Sequence, residues 1–218
     1  MNLTRSTNSV QSRPMRLVVL ISGAGTTLAN LIDRIRDGRL VGVRIDGVIS
    51  SRAAVAGVEL ARTAGIPVTV IRPKDYATSA QWSSAVTACL DEIAPDVVVM
   101  AGFLARWDLP GRYQRRTLNI HPALLPDFGG AGMYGRRVHE AVLRAGAPES
   151  GCTVHLVDEI YDHGPIVAQA RTAVTPDDTS ESLAARVQAL ERDLYPSVLQ
   201  RIADEGVAWL DRKFETRT

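Results

Sequence analysis

The apolar run Leu17-Val18-Val19-Leu20-Ile21 has no polar interruption, and it opens directly into Ser22-Gly23-Ala24-Gly25-Thr26-Thr27. Leu28, Leu31, Ile32 and Ile35 then recur at helical spacing until Gly38 closes the pattern. A strand that is apolar at every position has no face for water, so it needs a sheet covered on both sides. The alternation continues with a strand at 43–49, a helix at 53–64 closed by Gly65, a strand at 67–71, a helix at 80–93 and a strand at 96–101. This order predicts an α/β fold with a doubly wound, mostly parallel sheet, whose ligands lie in the crevice beyond the carboxyl ends of the strands. Further on, 137–145 reads as a helix, 151–157 and 166–174 as paired strands, and 179–206 as a long helix that Pro196 is expected to kink or break. No repeat or linker divides the chain. The expectation is a polar, disordered tail over 1–14 and a single catalytic domain over 15–218.

Charge narrows the partners. The 25 basic and 24 acidic side chains give no reason to expect a nucleic acid or a membrane surface. The longest apolar run, 97–105, is too short to span a bilayer. Cys89 and Cys152 lie far apart and read as reduced thiols of a cytoplasmic protein. His121, His139, His155 and His163 lack zinc-site spacing, so no metal is expected.

Two stretches have the composition of a site. The turn at 22–27 offers bare amides and a helix start to an anion. Leu28 stands where a dinucleotide fingerprint needs its third Gly, and no Gly-Lys-Ser/Thr follows. A monophosphate ester therefore fits better than NAD, and a simple packing turn fits as well. In Asn119-Ile120-His121-Pro122, strand alternation puts Asn119 and His121 on one face, where Pro122 ends the strand. An amide donor beside an imidazole suits a developing oxyanion and a moving proton. It equally suits a strand-end Asn and a core His with satisfied hydrogen bonds.

Five motifs carry a resemblance: V-V-L-I-S-G-A-G-T at 18–26, P-D-V-V-V-M-A-G-F at 95–103, N-I-H-P-A-L-L-P at 119–126, V-H-L-V-D-E-I-Y-D-H-G-P at 154–165 and R-V-Q-A-L-E at 186–191. From Met15 onwards the chain resembles the folate-dependent formyltransferases, above all the branch that formylates phosphoribosylglycinamide in purine biosynthesis. The resemblance implies a Rossmann-like formyltransferase fold and 10-formyltetrahydrofolate as co-substrate, with no metal. It implies Asn119, His121 and Asp162 as catalytic residues. Asn119 and a protonated His121 would stabilise the oxyanion, and Asp162 would raise the His121 pKa and assist the proton. It implies Gly25, Thr26, Thr27, Gln188 and Glu191 at the nucleotide. Leu104, Ala105, Arg106, Trp107, Asn119, Val157, Ile160 and Tyr161 would hold the folate. A homodimer is left open.

Some positions depart from the commoner pattern of that family. Thr27 replaces an Asn, the Arg after the 95–103 motif is displaced to Arg106, Ser79 stands where a basic residue is expected, and the 127–135 loop is longer and richer in Gly. Related activities remain as alternatives. A methionyl-tRNA formyltransferase would carry a further C-terminal domain, and a formyltetrahydrofolate deformylase an N-terminal one. A non-catalytic nucleotide-binding module would have no use for the Asn119, His121 and Asp162 set.

Overall fold

The computed structural model describes residues 13–215. The tail expected over 1–14 lies outside them except for Arg13 and Pro14. Arg13 places its guanidinium fork on Asp96 at 2.8 and 2.9 Å.

Among the described residues seven strands form one sheet: β1 (Met15–Ile21), β2 (Val43–Ser50), β3 (Val68–Val70), β4 (Val97–Met100), β5 (Thr117–His121), β6 (Glu149–Leu156) and β7 (Ile166–Ala173). Their order is β3-β2-β1-β4-β5-β6-β7. The pairs from β3 to β5 are parallel, and β6 and β7 are antiparallel additions. The expected doubly wound, mostly parallel sheet is what the chain forms. The order reverses between β1 and β4, which opens a crevice at their carboxyl ends.

Among the described residues six helices cover the sheet: α1 (Thr26–Arg36), α2 (Ala56–Thr63), α3 (Ser79–Ile93), α4 (Arg136–Arg144), α5 (Ser180–Glu205) and α6 (Ala208–Glu215). Pleating explains the unbroken apolar runs. Leu17, Val19 and Ile21 of β1 join Val97 and Val99 in a core beneath α1, α2 and α5. Val18, Leu20, Val98 and Met100 face the other way, onto Trp82, Val86 and Leu90 of α3. Each such buried side chain is worth roughly 1.5–3 kcal/mol of transfer free energy.

Glycine is required where β1 enters α1. Gly25 caps the helix at φ 75°, and a Cβ there would lie 2.8 Å from the Cα of Gly57. The amide of Gly57 in turn donates to the Gly23 carbonyl at 3.2 Å. The start of α2 thus packs directly on the Gly-rich turn, and the helix begins at Ala56 and not at the expected residue 53.

Pro196 does not break α5, which stays helical from Ser180 to Glu205. Proline removes the N–H that would serve the Arg192 carbonyl, a defect costing about 3 kcal/mol in an unsupported helix. Asn30 of α1 supplies the missing donor, its Nδ2 standing 2.8 Å from that carbonyl. Tyr195, fully buried, ties α5 to the sheet by donating its hydroxyl to the Leu118 carbonyl at 2.9 Å. The short α6 is not foreseen in the sequence. It buries Trp209 and Leu210, and Asp211 pairs with Arg116 at 2.6 Å.

Candidate active site

β5 is the strand that carries the chemistry to the sheet's rim. Its register against β6 sets Asn119 opposite His155 and His121 opposite Thr153. Below His121, the Thr153 hydroxyl donates to the Ala123 carbonyl at 2.7 Å and accepts from the Leu125 N–H at 3.0 Å. Gln169 adds bonds to the Leu125 carbonyl at 2.9 Å and to the Thr153 hydroxyl at 3.0 Å. The turn that follows Pro122 is therefore fixed from behind.

His121 is almost fully buried. Its Nε2 donates to the Phe128 carbonyl at 2.8 Å, which leaves Nδ1 facing the Asp162 carboxylate at 3.4 Å. Asp162 accepts from the Gly130 N–H at 3.0 Å. Its other oxygen stands 3.5 Å from Asn119 Nδ2 and 3.5 Å from His155 Nε2. Asn119 Nδ2 is 3.1 Å from His155 Nε2, while His155 Nδ1 donates to the Leu156 carbonyl at 2.9 Å. One amide hydrogen of Asn119 is thus well held. The other has only the distant carboxylate and is free for a ligand.

Burial drives the His121 pKa below its ordinary value, and the Asp162 charge and the Phe128 carbonyl recover only part of the loss. Burial also opposes ionisation of Asp162. His155, His121 and the Gly130 amide outweigh it, so that carboxyl titrates below its usual range. Glu191 goes the other way: burial pushes its carboxyl up to about 7, against a smaller pull from Arg192.

Around these groups lies a cleft of about 780 Å³, of the size that takes small ligands. Gly25, Thr26 and Thr27 line one end, with Gln188 and Glu191 of α5 beside them. The first turn of α1 holds no acidic side chain, so its unpaired amides face that end with their field undiminished. Leu104, Ala105, Arg106, Val157, Ile160 and Tyr161 also line the cleft, and Leu104, Ile160 and Tyr161 are exposed there. Trp107 is a wall of the cleft, itself buried, with its indole N–H on the Thr87 hydroxyl at 3.0 Å. All the residues singled out in the sequence meet in this one cleft.

Sequence reasoning did not find four contributors. The Phe128 carbonyl and the Gly130 amide belong to the Gly-rich 127–135 loop, and both bond the His121–Asp162 pair. His155 orients Asn119. His139 of α4 lines the cleft, is buried, and has an Nδ1 without a hydrogen-bond partner among the described residues. Only the period of α4, which puts His139 beside Val138 and Val142 on its buried face, hinted at that placement.

A formyl transferase family model matches residues 15–199, and the chain belongs to that family. It is similar to the trifunctional purine biosynthetic protein adenosine-3 of Bos taurus, with 42% identity over 91% of this chain and 19% of the relative. The chain thus spans about a fifth of that protein's length. It is 36% identical to the phosphoribosylglycinamide formyltransferase of Escherichia coli K12, over 90% of this chain and 94% of that one. Among solved structures, a phosphoribosylglycinamide formyltransferase of Coxiella burnetii superposes with a TM-score of 0.81 and 38% identity, covering 88% of each chain. The resemblance read from the motifs and the fold it implied both hold.

Proposed function

We propose that this chain transfers the formyl group of 10-formyltetrahydrofolate to the amine of phosphoribosylglycinamide. The observation that carries the reading is the convergence of Asn119, His121 and Asp162 at the sheet's rim, with His121 Nδ1 3.4 Å from Asp162. Family membership and the named relatives support the substrates. In this reading the α1 amides at Gly25, Thr26 and Thr27 take the phosphate, and Gln188 and Glu191 the ribose. The folate lies along Leu104–Trp107, Asn119, Val157, Ile160 and Tyr161.

The chemistry follows from the charge states. The substrate amine attacks the formyl carbon, and the free Asn119 hydrogen stabilises the oxyanion. His121, neutral at rest with Nε2–H held by Phe128, takes the amine proton on Nδ1. Asp162 stabilises the imidazolium so formed. As the carbon–folate nitrogen bond breaks, that proton passes to the leaving nitrogen and His121 returns to neutrality. No covalent enzyme intermediate is required. We also read the chain as a cytoplasmic enzyme acting on small molecules, without nucleic-acid or membrane partners. Among the described residues no helix is long and apolar enough to cross a membrane.

The decisive assay incubates the protein with 10-formyltetrahydrofolate, with and without the ribonucleotide amine. Tetrahydrofolate formed only when the amine is present supports transfer. Formate released without it would mark a deformylase, and no turnover in either arm would mark a binding module.

A further inference from the structure

Asp162 occupies an unfavourable backbone conformation. Its φ of 55° lies in the left-handed region, where a residue with a Cβ costs on the order of 1 kcal/mol or more. A residue so placed persists only when its surroundings fix the chain on both sides. On the far side, Leu156 N–H donates to the Pro165 carbonyl at 2.9 Å. Gly164 sits so close to β6 that a Cβ there would lie 1.9 Å from the Leu156 carbonyl oxygen. Those contacts hold the base of the reversal but not its tip.

The tip is closed by a long backbone bond, His163 N–H to the Ile160 carbonyl at 3.4 Å, and by a side-chain pair that the chemistry above does not use. Asp158 gives one carboxylate oxygen to the Ile160 N–H at 2.9 Å and the other to His163 Nδ1 at 2.8 Å. Asp158 leaves β6 and His163 directly follows Asp162, so this bond spans the segment that carries the catalytic carboxylate. The same segment presents Ile160 and Tyr161 to the cleft.

We propose that His163 is a positioning residue: its Nδ1 bond to Asp158 sets the reversal from which Asp162 reaches His121 and Asn119. The proposal rests on the formyl-transfer reading for its kinetic consequences, though not for the geometry. With His163 66% and Asp158 35% exposed, the pair adds little to global stability, since open ion pairs are worth at most about 1 kcal/mol. Its effect is local, on where residues 159–162 stand. It also depends on one atom. Asparagine carries an amide nitrogen at the place of the imidazole Nδ1, so His163→Asn keeps the bond and His163→Ala loses it.

Formyl transfer and tetrahydrofolate binding by calorimetry are measured for wild type, His163→Ala and His163→Asn. The alanine variant is expected to lose roughly three- to five-fold in kcat and in affinity for the folate. Its KM for the ribonucleotide and its Tm stay at wild-type values, and the asparagine variant restores both losses. Wild-type behaviour of His163→Ala, an equal loss in His163→Asn, or a matching rise in the nucleotide KM would each overturn the proposal. A wild-type protein that transfers no formyl group contradicts the functional reading instead. The tetrahydrofolate affinities of the two variants then still decide whether the bond positions the segment.

Discussion

Asn119 Nδ2 and His155 Nε2 stand 3.1 Å apart across the β5–β6 ladder. With His155 Nδ1–H committed to the Leu156 carbonyl, the Nε2 lone pair accepts from the Asn119 amide. The contact therefore fixes which end of the Asn119 amide points into the cleft. His155→Ala leaves that amide free to rotate, and kcat is expected to drop about ten-fold with little change in either KM. Unchanged kcat, measured under saturation with both substrates, would show that Asn119 needs no such partner.

His139 provides a pH signature. Burial, with a smaller contribution from His121, lowers its pKa in the folded chain. The unfolded chain then binds the proton more tightly, so the folded state loses stability as pH falls through the ordinary histidine value of about 6.5. The loss continues until the lowered folded-state value is passed. His139→Gln removes this term, so its Tm should gain on that of the wild type between about pH 8 and about pH 5.5. A constant Tm difference across that range would mean that His139 is protonated as readily in the fold as outside it.

Glu191 behaves in the opposite sense. Its carboxyl is raised to about 7 from 4.5, so the folded state holds a proton that the unfolded state has shed between those values. That contribution to stability is present in acid and is lost as pH rises through about 7. Glu191→Gln is expected to stabilise the chain at about pH 8 by roughly 1–2 kcal/mol, after discounting for solvent contact, or about 2–8 °C in Tm. The gain should vanish in acid, and the ribonucleotide KM should rise as the proposed ribose contact exchanges a carboxylate acceptor for a weaker amide oxygen. A destabilised variant at alkaline pH would show that the carboxylate is well compensated where it stands.

The sheet was legible because Leu17 to Ile21 of β1 and the whole of β4 are apolar at every position, a pattern with few other uses in a chain of this length. The rim position of Asn119 and His121 was legible too, since alternation and Pro122 fix it locally. The downward pull of burial on the pKa of His121 was not. Asp162 could be placed near it by motif, but the depth of burial that outweighs Asp162 exists only once the chain is folded. Pro196 misled for a related reason: its compensating donor, Asn30, lies on α1, far away in sequence. The Gly130 amide and the Phe128 carbonyl act through backbone atoms, which no residue type announces.

The most direct test of the account is single-turnover formyl transfer by Asp162→Asn. The substitution keeps the shape of the side chain and removes the charge that stabilises His121 once it has taken the amine proton. Transfer slower by roughly a hundred-fold or more, with both substrates still bound and Tm near that of the wild type, is the predicted result. Transfer within a few-fold of the wild-type rate would contradict it, because the 3.4 Å contact with His121 would then be a feature of packing alone.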